Sequence, residues 1–271
     1  MPEPLPRAVA ESLLAFWADA GVDAVLLDEP LDRIEAGKIL PPKPVAPIAL
    51  APAARPGPAA AAPDVSQAIV QAQTLAAQAQ DMEALAAAIA GFEGCGFRYE
   101  GASKAVCWRG ALDAPVMVIG EGPGQEEDLQ GLPFVGRAGK LLDRMLAAAG
   151  LTERVLITNT VFWRPPGNRT PAPHEQAVCA PFLERAIALT KPKMLLLVGG
   201  ASAKSLLRKD EGILSLRGRW FEWRSSDGAL ELPAMPTLHP AFLLRQPGAK
   251  KRAWSDLLTL TERLDRPDRP A

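Results

Sequence analysis

The sequence has little cysteine, histidine or tyrosine: three, two and one, respectively, in 271 residues. Three scattered cysteines (Cys95, Cys107 and Cys179) exclude a disulfide framework and agree with a reducing compartment. Nowhere does the chain approach the ~18 to 20 successive apolar residues that a membrane span needs. The start, Met1–Arg7, lacks the basic-then-apolar order of a secretory signal. A cytoplasmic protein without membrane association is therefore expected. The Gly-Lys-Ser/Thr ending of a nucleotide-binding P-loop is missing as well, which argues against a nucleoside triphosphatase.

What is present is unevenly distributed. Residues 1–134 carry 8 Lys/Arg against 18 Asp/Glu, whereas residues 137–254 carry 19 against 9. A basic half points to a polyanionic partner, nucleic acid first, although the same charges can simply solvate helices. Helical spacing of Leu13, Leu14 and Trp17 over residues 8–20 marks an amphipathic module, placed within residues 1–35. Residues 36–63 are rich in Pro and Ala, which excludes regular structure and predicts a disordered linker. Residues 64–91, rich in Ala and Gln, predict one or two helices leading into a main domain over 92–266.

From about Ala114 short apolar runs alternate with helical segments: Val116–Ile119, Val155–Thr158, Met194–Val198 and a weaker Met235–Leu238. Four such β/α repeats predict a three-layer α/β/α sandwich around a four-stranded parallel sheet. Ligands of such sheets bind beyond the carboxyl ends of the strands. The unusual motifs all lie there. After the first run come Gly120-Glu121-Gly122-Pro123-Gly124 and Leu132-Pro133-Phe134-Val135-Gly136, bracketing Glu126, Glu127 and Asp128. These carboxylates either serve a site or merely solvate a loop, with Phe134 in the core. The second run ends in Asn159, whose amide can offer donor and acceptor together to the edge of a base, and leads into the basic loop Arg164-Pro165-Pro166-Gly167-Asn168-Arg169. The third ends in Gly199-Gly200 before a helix start, a weak anion site. The fourth leads to His239-Pro240-Ala241-Phe242-Leu243-Leu244-Arg245, where a histidine at a strand end can donate a hydrogen bond to a developing anion. His174, at a predicted helix start, is assigned a surface or capping role.

Together these motifs resemble family 4 of the uracil-DNA glycosylase superfamily over roughly residues 92–264. The resemblance implies an enzyme that flips uracil out of single- or double-stranded DNA and hydrolyses its glycosidic bond, and a monomer is expected. It implies a uracil site of Gly122, Phe134, Asn159 and His239, with Phe134 stacking on the base, Asn159 reading its edge and His239 bonding its O2. Better-known glycosylases of the superfamily carry an Asp where this chain has Gly122. The water-positioning carboxylate is then expected at Glu121 first and Asp128 second. Arg137, Arg164, Arg169 and Arg245 are placed near DNA phosphates, and Leu243 and Leu244 match the apolar wedge that fills the vacated stack. Family 4 enzymes hold a four-iron cluster through four cysteines. Here Cys95 and Cys179 match the first and last, Arg98 and Trp163 stand at the other two, and Cys107 is out of register, so no cluster is expected and Trp163 should pack in its place. Two alternatives stay open: a protein that traps its product covalently, and a DNA-binding appendage of a repair or polymerase complex docked through the N-terminal helix.

Overall fold

A computed structural model of the chain describes residues 65–266. The helical module of residues 1–35 and the linker of residues 36–63 lie outside the described residues. Helices α1 (Val65–Gln78) and α2 (Met82–Gly91) come first, with Asp81 capping α2 by accepting from the Ala84 N–H. They are followed by β1 (Trp108–Gly110), β2 (Val116–Gly120), the short α3 (Gln125–Gln130), α4 (Arg137–Ala148) and β3 (Val155–Asn159). Then come α5 (Pro173–Thr190), β4 (Met194–Val198), α6 (Gly200–Leu207), α7 (Ile213–Leu216), β5 (Phe221–Arg224), β6 (Glu231–Thr237), α8 (Pro240–Arg245) and α9 (Lys250–Asp265).

The sheet has six strands in the order β1-β3-β2-β4-β6-β5. Its centre, β3-β2-β4-β6, is the expected parallel set, but the strand count of four is corrected: β1 and β5 close the two edges antiparallel. Strands β2, β3 and β4 are buried along their whole length, which is why they appear as unbroken apolar runs. Alternate residues face opposite layers. Met117, Ile119, Leu156, Leu195 and Leu197 join one core with α1, α2 and α5, while Val116, Val118, Ile157, Leu196 and Val198 pack with Leu142 and Leu146 of α4 and with Leu257 and Leu260 of α9. Strand β6 begins four residues before its predicted start. Its two prolines fall where it has a single neighbour: Pro233 pairs with Glu222 of β5 before the β4 ladder begins, and Pro236 pairs with Leu197 of β4 after the β5 ladder ends.

Chain direction across the sheet reverses at β2, with β3 on one side and β4 on the other. The crevice outside the carboxyl ends of these strands is where a ligand of such a sheet binds.

Candidate active site

Four strand ends meet at that crevice. The register of β2 with β3 sets Gly120 directly opposite Asn159. β4 ends one residue before Gly199, and β6 two residues before His239. A cavity of about 530 Å³ opens there, lined among others by Glu121, Gly122, Glu127, Phe134, Asn159, His239 and Arg245. That volume is in the ordinary range for small-molecule sites. Phe134 and His239, from two loops, and Asn159, from the end of β3, thus line one cavity.

Close packing explains the glycines. A Cβ on Gly120 would lie 2.4 Å from the Phe134 Cζ and 2.5 Å from the Asn159 Oδ1, so only glycine lets ring and amide approach each other over the end of β2. Gly199 has φ +98°, and the His239 ring packs on it: a Cβ there would meet the imidazole Cδ2 at 3.2 Å.

The Asn159 side chain is buried, and neither its Oδ1 nor its Nδ2 has a hydrogen-bond partner among the described residues. Buried amide groups are almost always paired, because each orphan costs about 1–3 kcal/mol. An amide kept unpaired on a cavity wall is prepared for a ligand that presents a donor beside an acceptor.

Phe134 sits at φ +54°, the left-handed region that a bulky side chain rarely enters and that costs on the order of 1–3 kcal/mol. Charged groups hold it from both sides. The Glu127 carboxylate accepts from the N–H groups of Val135 (3.0 Å), Gly136 (2.9 Å) and Gly124 (3.1 Å), tying the two Gly-rich loops together. From the other side Arg109 donates to the carbonyls of Pro133 and Phe134. The ring centre of Phe134 stands 5.7 Å from that of His239.

His239 caps α8, its Nδ1 accepting from the Ala241 N–H at 3.2 Å. The proton of the neutral ring is therefore on Nε2, making that nitrogen a donor. Desolvation, with the positive charge of Arg245 second and only partly opposed by Glu127, pushes the His239 pKa down to about 4. The imidazole stays neutral across the physiological range. Since an unfolded histidine titrates near 6.5, the unfolded chain binds the extra proton first. His239 therefore contributes stability that is complete above about pH 6.5 and is lost as the pH falls toward 4. Thermal unfolding from pH 7 to 4 should show a smaller acid loss for His239→Gln than for the wild type; equal loss would contradict a depressed pKa.

Residues 107–258 match the family model described as the uracil DNA glycosylase superfamily. The chain belongs to this superfamily. It is 40% identical over 145 residues to a protein of Thermotoga maritima named Type-4 uracil-DNA glycosylase, covering 53% of this chain and 73% of that one. It is also 37% identical over 166 residues to one of Sulfurisphaera tokodaii (59% and 74% covered) and 38% over 159 residues to one of Pyrobaculum aerophilum (57% and 80%), both with the same name.

The cavity of this superfamily member does not gather every residue expected of it. Glu121 lines it, half-buried, with its backbone carbonyl taken by the Thr160 hydroxyl. Asp128 does not: it is buried on the far side of α3, where it accepts from the Ser103 and Lys104 N–H groups and ties down the preceding loop. The second-choice carboxylate is thus a structural anchor. Gly122 packs against Val161, whose Cγ2 would lie 2.8 Å from an added Cβ, so a side chain here would need β3's loop to move. Leu243 is buried with Leu238 and Ala253 and cannot be a wedge, while Leu244, one residue on, is exposed. Arg245 is exposed at the rim of the cavity, and Arg137 is exposed beside the lining residue Ala138. Arg164 is half-buried and donates to the Asn168 Oδ1, bracing the Pro165–Gly167 turn. Arg169 is less available than expected: its guanidinium forks onto Glu175 at 2.6 and 2.7 Å and lies 5.3 Å from the centre of the Phe97 ring. His174 is exposed and outside the cavity lining. From the sequence Glu127 stands only within an acidic cluster, without this role, and Arg109 stands out in no motif. A Glu three residues after Gly124 was the available cue for the first, and the second had none.

The four-iron cluster of family 4 does not fit the residues at its positions. Cys95 and Cys179 are buried neighbours; the Cys179 thiol donates toward Cys95, which lowers the pKa of Cys95 and, with burial, pushes that of Cys179 well above the ordinary range. The other two positions offer no thiolate. Arg98 donates to the carbonyls of Ala90 (2.8 Å) and Phe92 (3.2 Å), and Trp163 is packed in the same buried cluster as the two cysteines, against Phe92 and Phe162. Cys107 packs against the same core, with burial pushing its pKa up to about 12. Two thiols cannot replace a four-cysteine set.

Proposed function

We propose that this protein is a uracil-DNA glycosylase that hydrolyses the N-glycosidic bond of uracil in DNA and so begins base-excision repair. The observation that carries the reading is the buried, unpaired Asn159 amide facing Phe134 and His239 in one cavity. The names of its relatives support it. Phe134 stacks on the flipped base, and Asn159 bonds the adjoining carbonyl and N–H of uracil. Cytosine reverses donor and acceptor there and would leave the buried amide mismatched. The neutral His239 donates from Nε2 to O2, where charge collects as the bond to the sugar breaks. Glu121, a carboxylate-bearing residue of the cavity lining, orients the attacking water and stabilises the cationic sugar in this reading. Arg245 and Arg137 meet phosphates, and Leu244 enters the vacated stack. The thiol inventory supports action without an iron–sulfur cluster, and iron analysis of the purified protein tests that part.

The decisive experiment incubates the protein with uracil-containing, hypoxanthine-containing and plain DNA, cleaves abasic sites with alkali and resolves the products on a denaturing gel. Cleavage of the uracil strand with turnover is expected; a shifted covalent adduct would instead indicate a trap, and binding without cleavage an appendage. Glu121→Gln should lower the single-turnover rate by about 10²-fold or more with little change in affinity for uracil-containing DNA. Proportional loss of both would remove Glu121 from its role.

A further inference from the structure

We propose that Arg109 is a positioning residue for the stacking ring: it fixes Phe134 in its left-handed conformation and references it to the strand that carries Asn159. The inference rests on the glycosylase reading above and deepens it. Arg109 touches neither the cavity nor any reacting atom. Its Nε donates to the Pro133 carbonyl at 2.7 Å and its Nη2 to the Phe134 carbonyl at 3.1 Å, while the same Nη2 meets the Asp143 carboxylate of α4 at 2.6 Å. One rigid, planar group thus ties two successive carbonyls of the strained turn to the helix that follows it. The space for this is specific. A Cβ on Gly139, in the first turn of α4, would lie 1.7 Å from the Phe134 carbonyl oxygen, so the turn folds back onto a helix that glycine keeps bare.

The origin of Arg109 matters as much as its contacts. It lies on β1, paired with Ile157 of β3, two residues before Asn159. The edge strand therefore transmits the position of the β3 end to the Phe134 turn, and the ring that stacks on a base shares a frame with the amide that reads it. Glu127 holds the N–H groups on the other side of Phe134 but also lines the cavity, so its removal would mix two effects. Arg109 isolates positioning.

A double-mutant cycle tests this, with single-turnover excision and KM for uracil-containing DNA measured on wild type, Arg109→Met, Phe134→Ala and the pair. Arg109→Met should lower the rate at saturating DNA by about 10-fold or more while KM changes less than about threefold, because displacement of a reacting geometry acts on the chemical step. In the Phe134→Ala background the same change should cost less than about twofold, since residues acting through one another are not additive. Arg109→Lys, which retains the charge, should fall between Met and wild type and serves if the Met variant does not fold. An equal rate loss with and without Phe134 would overturn the proposal and leave the glycosylase reading standing; absence of excision by the wild type would remove both.

Discussion

Replacing Asn159 with leucine should abolish uracil excision and make the protein more stable. The two effects have one cause. Asn159 keeps a buried carbonyl and amide without hydrogen-bond partners among the described residues, on the same side of Gly120 as the Phe134 ring. A leucine of nearly the same shape removes both orphans, and at about 1 kcal/mol or more for each unsatisfied group the folded state should gain at least about 2 kcal/mol. At ~2–4 °C per kcal/mol for a domain of this size, the midpoint should rise by several degrees. Function moves the other way, since a pocket unable to hydrogen-bond the base edge should lose about 10³-fold or more in kcat/KM on uracil-containing DNA. Thermal unfolding and single-turnover excision on the same preparation measure both. A less stable leucine variant, or one that still excises uracil, would mean that the amide is satisfied in the free protein and does not face the base.

Removing Asp256 should have the largest effect on stability. This carboxylate is 1% exposed; it accepts from the Thr237 hydroxyl at 2.7 Å and from both Nε and Nη2 of Arg217. Arg217 also donates to the Arg252 carbonyl, so the cluster fastens α9 to the turn before β5 and to the last residue of β6. Burial raises the Asp256 pKa, and its hydrogen bonds with Thr237 and Arg217 act against that rise. Asp256→Ala would leave the Arg217 cation unpaired in a largely buried place, a loss of about 3–5 kcal/mol. The exposed pair Arg224–Glu231 provides the contrast, and its removal should cost under about 1 kcal/mol. Urea unfolding of the two variants compares them. Because β6 ends two residues before His239, Asp256→Ala should also slow excision at temperatures where it remains folded. Equal stability of the two variants would show that the buried cluster contributes no more than a surface contact.

The central strands and the residues at their ends were legible because their signals are local. Continuous runs such as Met194–Val198 are buried on both faces, and a strand end is marked by where the run stops. The edge strands were not legible, because three residues of β1 and four of β5 carry no period of their own and exist through their pairing with β3 and β6. Side-chain direction was the second limit. Asp128 and Leu243 lie within the right motifs but on the inner faces of short helices, a distinction that one residue of rotation decides and composition does not. Arg109 was invisible for a third reason: its partners are main-chain carbonyls 24 and 25 residues away, which leave no mark in residue type.

Helices α1 and α2 precede the matched segment 107–258, yet Ala68, Ala72, Leu85, Ile89 and Phe92 share a core with Phe182 and Leu195, and Arg185 grips the Ala79 carbonyl with two donors. At the other end Leu260 and Leu264 of α9 fall past the match and still cover the opposite face. The stretch that kinship recognises is thus shorter than the stretch that must travel together to stay soluble. A gene fragment trimmed to the recognisable part would keep every residue of the chemistry and expose two oily surfaces to water.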